Sequence, residues 1–148
     1  MPTKELLVKD LMRTPVVTIN EEAGLDRALL IMRNQRIRHL PVVDDNHQML
    51  GLISDRDLRL SMKEMEEGPA GAPKGYYLPA LTKVKTAMIT TVVTAHPEMP
   101  LSNAAVIMSE RKFGALPVVD TASKKLVGIV TETDMLRLLA KMLKQKGD

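Results

Sequence analysis

The chain has no cysteine and no tryptophan, and its aromatic side chains are Tyr76, Tyr77 and Phe113. Without cysteine, disulfides, thiolate metal sites and thiol nucleophiles are excluded. With aromatics at 2%, the 45% hydrophobic share must build a core from Leu, Ile, Val, Ala and 11 Met. Methionine fills irregular gaps, and it also suits a surface that moulds around partners. A nucleic-acid binder would add basic clusters interleaved with stacking aromatics, and here the basic residues are scattered, so nucleic acid is not an expected partner. No apolar run reaches the length of a membrane span. The opening Met1-Pro2-Thr3-Lys4-Glu5 lacks the apolar segment of a signal peptide, so a soluble, cytoplasmic protein is expected. A formal net charge of +3 tolerates acidic ligands without demanding them.

What the chain does have is repetition. Val8-Lys9-Asp10-Leu11-Met12 returns as Val84-Lys85-Thr86-Ala87-Met88, and Leu40-Pro41-Val42-Val43-Asp44 as Leu116-Pro117-Val118-Val119-Asp120. The offset is 76 residues as far as Leu50 and Leu126; reading Val127 as an insertion shifts it to 77, pairing Gly51 with Gly128 and Asp57 with Asp134. Along that alignment 20 of 53 positions are identical, enough to make each copy one supersecondary unit that cannot bury its apolar side alone. The expected division is repeat one over 1–65, a Gly/Pro-rich linker over 66–80 and repeat two over 81–148.

Each copy reads as short helix, strand, helix, strand, strand, helix. Pro15 to Ile19 and Thr91 to Thr94 are β-branched runs of strand type. Leu25, Ala28, Leu29 and Met32 fall at helical spacing, repeated by Leu101, Ala104, Ala105 and Met108. His39 to Val43 and Ala115 to Val119 are apolar strands whose proline implies a strand start or an edge. They should form hairpins with Met49 to Ser54 and Lys125 to Thr131 through turn-rich connections. Final helices begin at Asp55 and Glu132, where acidic residues suit a helix N-terminus. The linker is either mobile or a flap, its three Gly and three Pro between 66 and 79 forbidding a continuous helix.

The chemistry concentrates in Gly51-Leu52-Ile53-Ser54-Asp55-Arg56-Asp57 and its match Gly128-Ile129-Val130-Thr131-Glu132-Thr133-Asp134. In each, a hydroxyl ends a strand and an aspartate follows three residues later, on the same side of the first helical turn. A carboxylate accepts two hydrogen bonds from a vicinal diol such as that of a ribose, and a hydroxyl beside free helix N–H groups suits a phosphate. The plainer reading is that Ser54 and Thr131 cap the helices while Asp57 and Asp134 complement the helix dipole. The glycines mark either a close backbone approach or a hairpin turn.

These paired motifs, with the Val-Val-Thr and Leu-Pro-Val-Val-Asp segments, resemble the tandem CBS domain pair, or Bateman module, over nearly the whole chain. Ser54 to Arg59 followed by a long linker is also similar to the pair of AcuB-type acetoin-utilisation proteins. The resemblance implies an α/β (α+β) fold of two β-α-β-β-α repeats packed sheet to sheet about a pseudo-two-fold axis. It also implies two clefts for adenosine-bearing ligands such as AMP, ADP, ATP or S-adenosylmethionine. Carried over, Asp57 and Asp134 would grip ribose, Ser54 and Thr131 would lie near ribose or phosphate, and Thr14 to Val16 and Thr90 to Val92 would line the base. Arg38 and His39 would meet phosphates. Copy two has Gly114 and Ala115 there, so the clefts should differ.

The expected protein is a non-catalytic regulatory module with no required cofactor, acting as a homodimer through apolar helix faces that include Leu138, Leu139, Met142 and Met62. His39, His47 and His96 show no metal-ligand spacing, and no His or Cys is placed to activate Ser54. Rival readings are a ligand-free dimerisation scaffold, a nucleic-acid binder and a nucleotide-directed enzyme.

Overall fold

The computed structural model describes residues 5–146. Met1–Lys4, which carry most of the signal-peptide expectation, lie outside the described residues. Its elements are α1 (Val8–Leu11), α2 (Leu25–Gln35), β1 (His39–Val43), β2 (Met49–Ser54), α3 (Asp55–Ser61) and β3 (Lys63–Met65). A single-turn helix, Pro69–Gly71, leads to β4 (Gly75–Tyr77), α4 (Val84–Ala87), α5 (Leu101–Arg111), β5 (Ala115–Val119), β6 (Leu126–Thr131) and α6 (Glu132–Lys146). Among the described residues no helix is long and apolar enough to cross a membrane.

The chain divides into two compact units that interleave the repeats. One is Val17–Val92; the other joins the segment ending at Val16 to the chain from Val93. Thus α4, from repeat two, completes the unit built on repeat one, and α1 completes the other.

In the unit Val17–Val92, the apolar spacing of α2 turns Leu25, Ala28 and Met32 inward. They meet Leu40, Val42 and Ile53 of the β1–β2 hairpin, Leu58 of α3 and Val84 of α4. Each large aliphatic side chain removed from water there contributes about 1.5–3 kcal/mol. β1 and β2 run antiparallel with Leu40 opposite Ile53 and Val42 opposite Gly51. α2 ends on Arg36 in the left-handed conformation (φ 55°), its N–H bonded to the Met32 carbonyl. The unit containing Asp134 repeats this plan: Leu101, Ala104 and Met108 of α5 pack on Leu116, Val118 and Val130, and Val8 of α1 closes the core.

The two Val-Val-Thr runs do not become strands. Each ends in one parallel bridge, Ile19 to Val42 and Ala95 to Val118. The cause is the proline in the neighbouring strand. Ile19 N–H reaches the Pro41 carbonyl at 3.1 Å and Ala95 N–H the Pro117 carbonyl at 2.8 Å, but neither proline has an N–H to carry the ladder further. Strand register also moves the extra residue of repeat two. Val43 pairs with Met49 and Val119 with Leu126, so the insertion lies in the turn between β5 and β6 and not at Val127.

The linker takes the form of a hairpin, with Lys63 opposite Tyr77 and Met65 opposite Gly75. Tyr77 donates its hydroxyl to the Pro73 carbonyl at 2.5 Å, and its ring lies on Gly68, where any β-carbon would overlap it. One tyrosine therefore anchors the linker to its own backbone, while Tyr76 is exposed.

Candidate functional site: two acidic helix caps

The strand-to-helix turns after β2 and β6 are built alike. Ser54 donates its N–H and hydroxyl to Oδ2 of Asp57 at 2.8 and 2.9 Å, and Asp57 N–H returns to Ser54 Oγ at 3.2 Å. Thr131 and Asp134 repeat the set at 3.1, 2.9 and 3.3 Å. These are reciprocal caps, satisfying otherwise unpaired donors at the start of α3 and α6. The capping reading of Ser54 and Thr131 is therefore correct as far as it goes. Each cap uses one carboxylate oxygen and leaves the other for different work.

The glycine of each motif has its place too. A β-carbon on Gly51 would lie 2.8 Å from the Ile89 carbonyl oxygen and 2.8 Å from Met88 Sδ. The glycine marks a close approach of chain to chain, which holds the segment after α4 against β2 through reciprocal Leu52–Ile89 hydrogen bonds of 2.9 Å. In the other unit Arg13 stands in the same register, with its N–H on the Ile129 carbonyl at 2.9 Å and its carbonyl receiving Ile129 N–H at 3.2 Å.

This register sets where the remaining predicted residues fall. Thr90 and Val92 follow Ile89 in the Asp57 unit; Thr14 and Val16 follow Arg13 in the Asp134 unit. Thr14 and Thr90 are exposed, Val16 and Val92 half-buried. His39 stands opposite Ser54 in the β1–β2 register. The Arg38 carbonyl receives Asp55 N–H at 2.9 Å, with the arginine side chain exposed beside the start of α3. Gly114 does the same for Glu132 N–H at 3.0 Å, and Ala115 faces Thr131. Repeat two therefore offers no cation at the positions of Arg38 and His39.

One site residue escaped the sequence reading. Arg13 donates from Nε to Oδ1 of Asp134 at 2.9 Å, and its Nη2 lies 2.8 Å from the same oxygen in an ion pair. Burial pushes the Asp134 carboxyl up, but the Arg13 guanidinium and the Thr131 hydroxyl and N–H outweigh it and hold the group below the usual carboxylate range. The counterpart of Arg13 at the 76-residue offset is Ile89. A charge in one copy where the other has an aliphatic residue was the available signal.

A carboxylate fixed by its own helix cap, with a wall of short segment on one side and strand backbone on the other, can accept hydrogen bonds from a pair of hydroxyls. The Ser54 and Thr131 hydroxyls donate to the aspartates.

A family model described as CBS domain matches residues 8–64 and 84–141. A CBS domain-containing protein of Dictyostelium discoideum is 37% identical over 139 residues, 94% of either chain. Other relatives of 29–33% identity are longer, some named as enzymes, and the chain spans 23–34% of their length. Among solved structures, a putative acetoin utilization protein (AcuB) from Vibrio cholerae shares 30% identity with a TM-score of 0.77, covering 97% of this chain and 98% of that one. The CBS domain pair of protein MJ0100, solved in complex with 5′-methylthioadenosine and S-adenosyl-L-methionine, shares 29% with a TM-score of 0.76, covering 93% and 98%.

Proposed function

We infer that this chain, which belongs to the CBS domain family, is a non-catalytic regulatory module that seats an adenosine-bearing ligand on the acidic cap of Asp57 and signals by a change of conformation. The observation that carries the reading is the capped carboxylate of Asp57. Its Oδ2 is committed to Ser54, which fixes the group without filling it, and no lysine or arginine pairs with it among the described residues. A ribose diol matches such an acceptor in geometry and hydrogen-bond sense. The two compounds bound to the MJ0100 pair both carry that diol.

On this reading Thr90 and Val92 flank the base in the Asp57 unit, and Thr14 and Val16 hold the matching positions in the Asp134 unit. Arg38 and His39 give the Asp57 unit its affinity for phosphate. Ligand changes the conformational equilibrium only through unequal affinity for two states, and a partner protein reads the result. Self-association uses the exposed side of α6, where Leu139 and Met142 are 50% and 49% exposed. Leu138 is instead partly buried on the unit's own core.

Calorimetry with adenosine, AMP, ATP and S-adenosylmethionine tests the reading. Asp57→Ala should weaken binding about tenfold or more, the scale of one lost charge-assisted hydrogen bond. Equal affinity in the wild type and the Asp57→Ala/Asp134→Ala double variant would sink it. The rival reading, a dimerisation scaffold without ligand, draws on the exposed Leu136, Leu139, Met142 and Leu143 of α6. It requires an unchanged unfolding free energy at saturating adenosine compounds, where a ligand at a hundred times its Kd adds about 2.7 kcal/mol.

A further inference from the structure

The two acidic caps differ in one respect that their matching sequences conceal. A carboxylate offers about four acceptor positions. In Asp134 the protein engages both oxygens: Thr131 N–H and hydroxyl donate to Oδ2, and Arg13 donates from Nε to Oδ1 with its Nη2 2.8 Å from the same oxygen in an ion pair. The side chain is only 7% exposed, so nothing else reaches it without moving Arg13. In the other unit the same backbone register presents Ile89, which has no donor in its side chain.

We infer that Arg13 latches the Asp134 site shut against uncharged diols, so that the chain takes one nucleoside, on Asp57, and gains a second only when the latch is removed. The inference rests on the diol reading of the aspartates given above. Its physical basis is an exchange of hydrogen bonds. To hold Asp134, two neutral hydroxyls would have to displace the Arg13 guanidinium from Oδ1, and donors carrying charge make bonds roughly twice as strong as neutral ones. The latch is also held in place, because reciprocal backbone hydrogen bonds to Ile129 fix Arg13 at the turn. The Arg38 and His39 asymmetry distinguishes the two units for phosphates. Arg13 distinguishes them for the sugar itself, independently of any phosphate.

The test is adenosine stoichiometry by calorimetry on the full chain, with 2′,3′-dideoxyadenosine as the ligand that lacks the diol. The wild type should bind one adenosine per chain, lost in Asp57→Ala and retained in Asp134→Ala. Arg13→Ile, which copies the other unit, should bind two. Ile89→Arg, the reverse exchange at a position 51% exposed, should import the latch and weaken adenosine about tenfold or more. It disturbs no buried group, so it keeps the inference testable if Arg13→Ile folds poorly. Two equal sites in the wild type, a single site in folded Arg13→Ile, or unchanged affinity in Ile89→Arg overturns the latch while leaving the diol reading intact. Adenosine binding no tighter than dideoxyadenosine, or no adenosine binding by any of these proteins, removes the diol reading and the latch with it.

Discussion

A β-carbon on Gly128 would sit 2.5 Å from Sδ of Met12, whereas one on Gly51 would sit 2.8 Å from the carbonyl oxygen of Ile89 as well as from Met88 Sδ. The same glycine in the two repeats is thus guarded by different nearest atoms: those of the Met12 side chain in one unit, and a side chain together with rigid backbone in the other.

Gly51→Ala should therefore cost more than Gly128→Ala. Forcing a methyl into a filled site costs about 1–3 kcal/mol, and Met12 can swing its thioether aside where the Ile89 carbonyl cannot. Urea unfolding checks this. The midpoint should fall further for Gly51→Ala, with the slope unchanged in both variants. Equal midpoints would show that Met88, not Ile89, sets the limit.

Glu22 gives a pH dependence of known sign. Hydrogen bonds from Lys83 and then Lys85 hold its carboxyl down to about 2 from an ordinary 4.5. A folded pKa below the unfolded one stabilises above about pH 4.5, and that contribution disappears as pH falls toward about 2. The Glu22 carboxyl carbon, followed by NMR, should titrate near the lower value in the wild type. It should return to the ordinary range in Lys83→Ala/Lys85→Ala.

On the proposed reading Arg38 separates phosphate from sugar. Its carbonyl serves Asp55 N–H and survives any substitution, while its exposed side chain is available for an anion. Arg38→Ala should weaken AMP and ATP but leave adenosine unchanged, and the difference should shrink with added salt as screening rises. A parallel loss for adenosine would move Arg38 from charge recognition to support of the fold.

The proposed self-association through α6 can be tested without touching a core. Leu139→Lys/Met142→Lys places charge on two half-exposed positions, and surface changes of this kind alter stability by about 0.5 kcal/mol or less. Sedimentation should report half the wild-type mass at unchanged melting temperature. An unaltered mass would overturn self-association through α6.

Much of this architecture was legible in the residues. The spacing of Leu25, Ala28 and Met32 gave α2 its inward side, and Pro41 and Pro117 announced strands with a non-donating edge. The hydroxyl-to-aspartate interval located both helix starts and made the caps readable, because a cap is a local object three residues long. What stayed hidden is non-local. Nothing in the periodicity of Val8 to Leu11 says which repeat it packs on, since both copies offer an equivalent apolar hollow. Arg13 and Asp134 meet across 121 positions of sequence, a contact that only the crossed arrangement of α1 permits. The extra residue of repeat two was misplaced for a simpler reason. Leu126 and Val127 are both apolar, so composition could not tell which of them continues the pairing that Leu50 begins.

The exchange of α1 and α4 between the units has a consequence for how such a chain can be divided. A fragment ended inside the hairpin of 63–77 holds the helix its sister needs and lacks the one it needs itself. Each half thus lacks part of its own core, so the two copies can be read apart in the sequence but not cut apart in the fold without taking a helix from each.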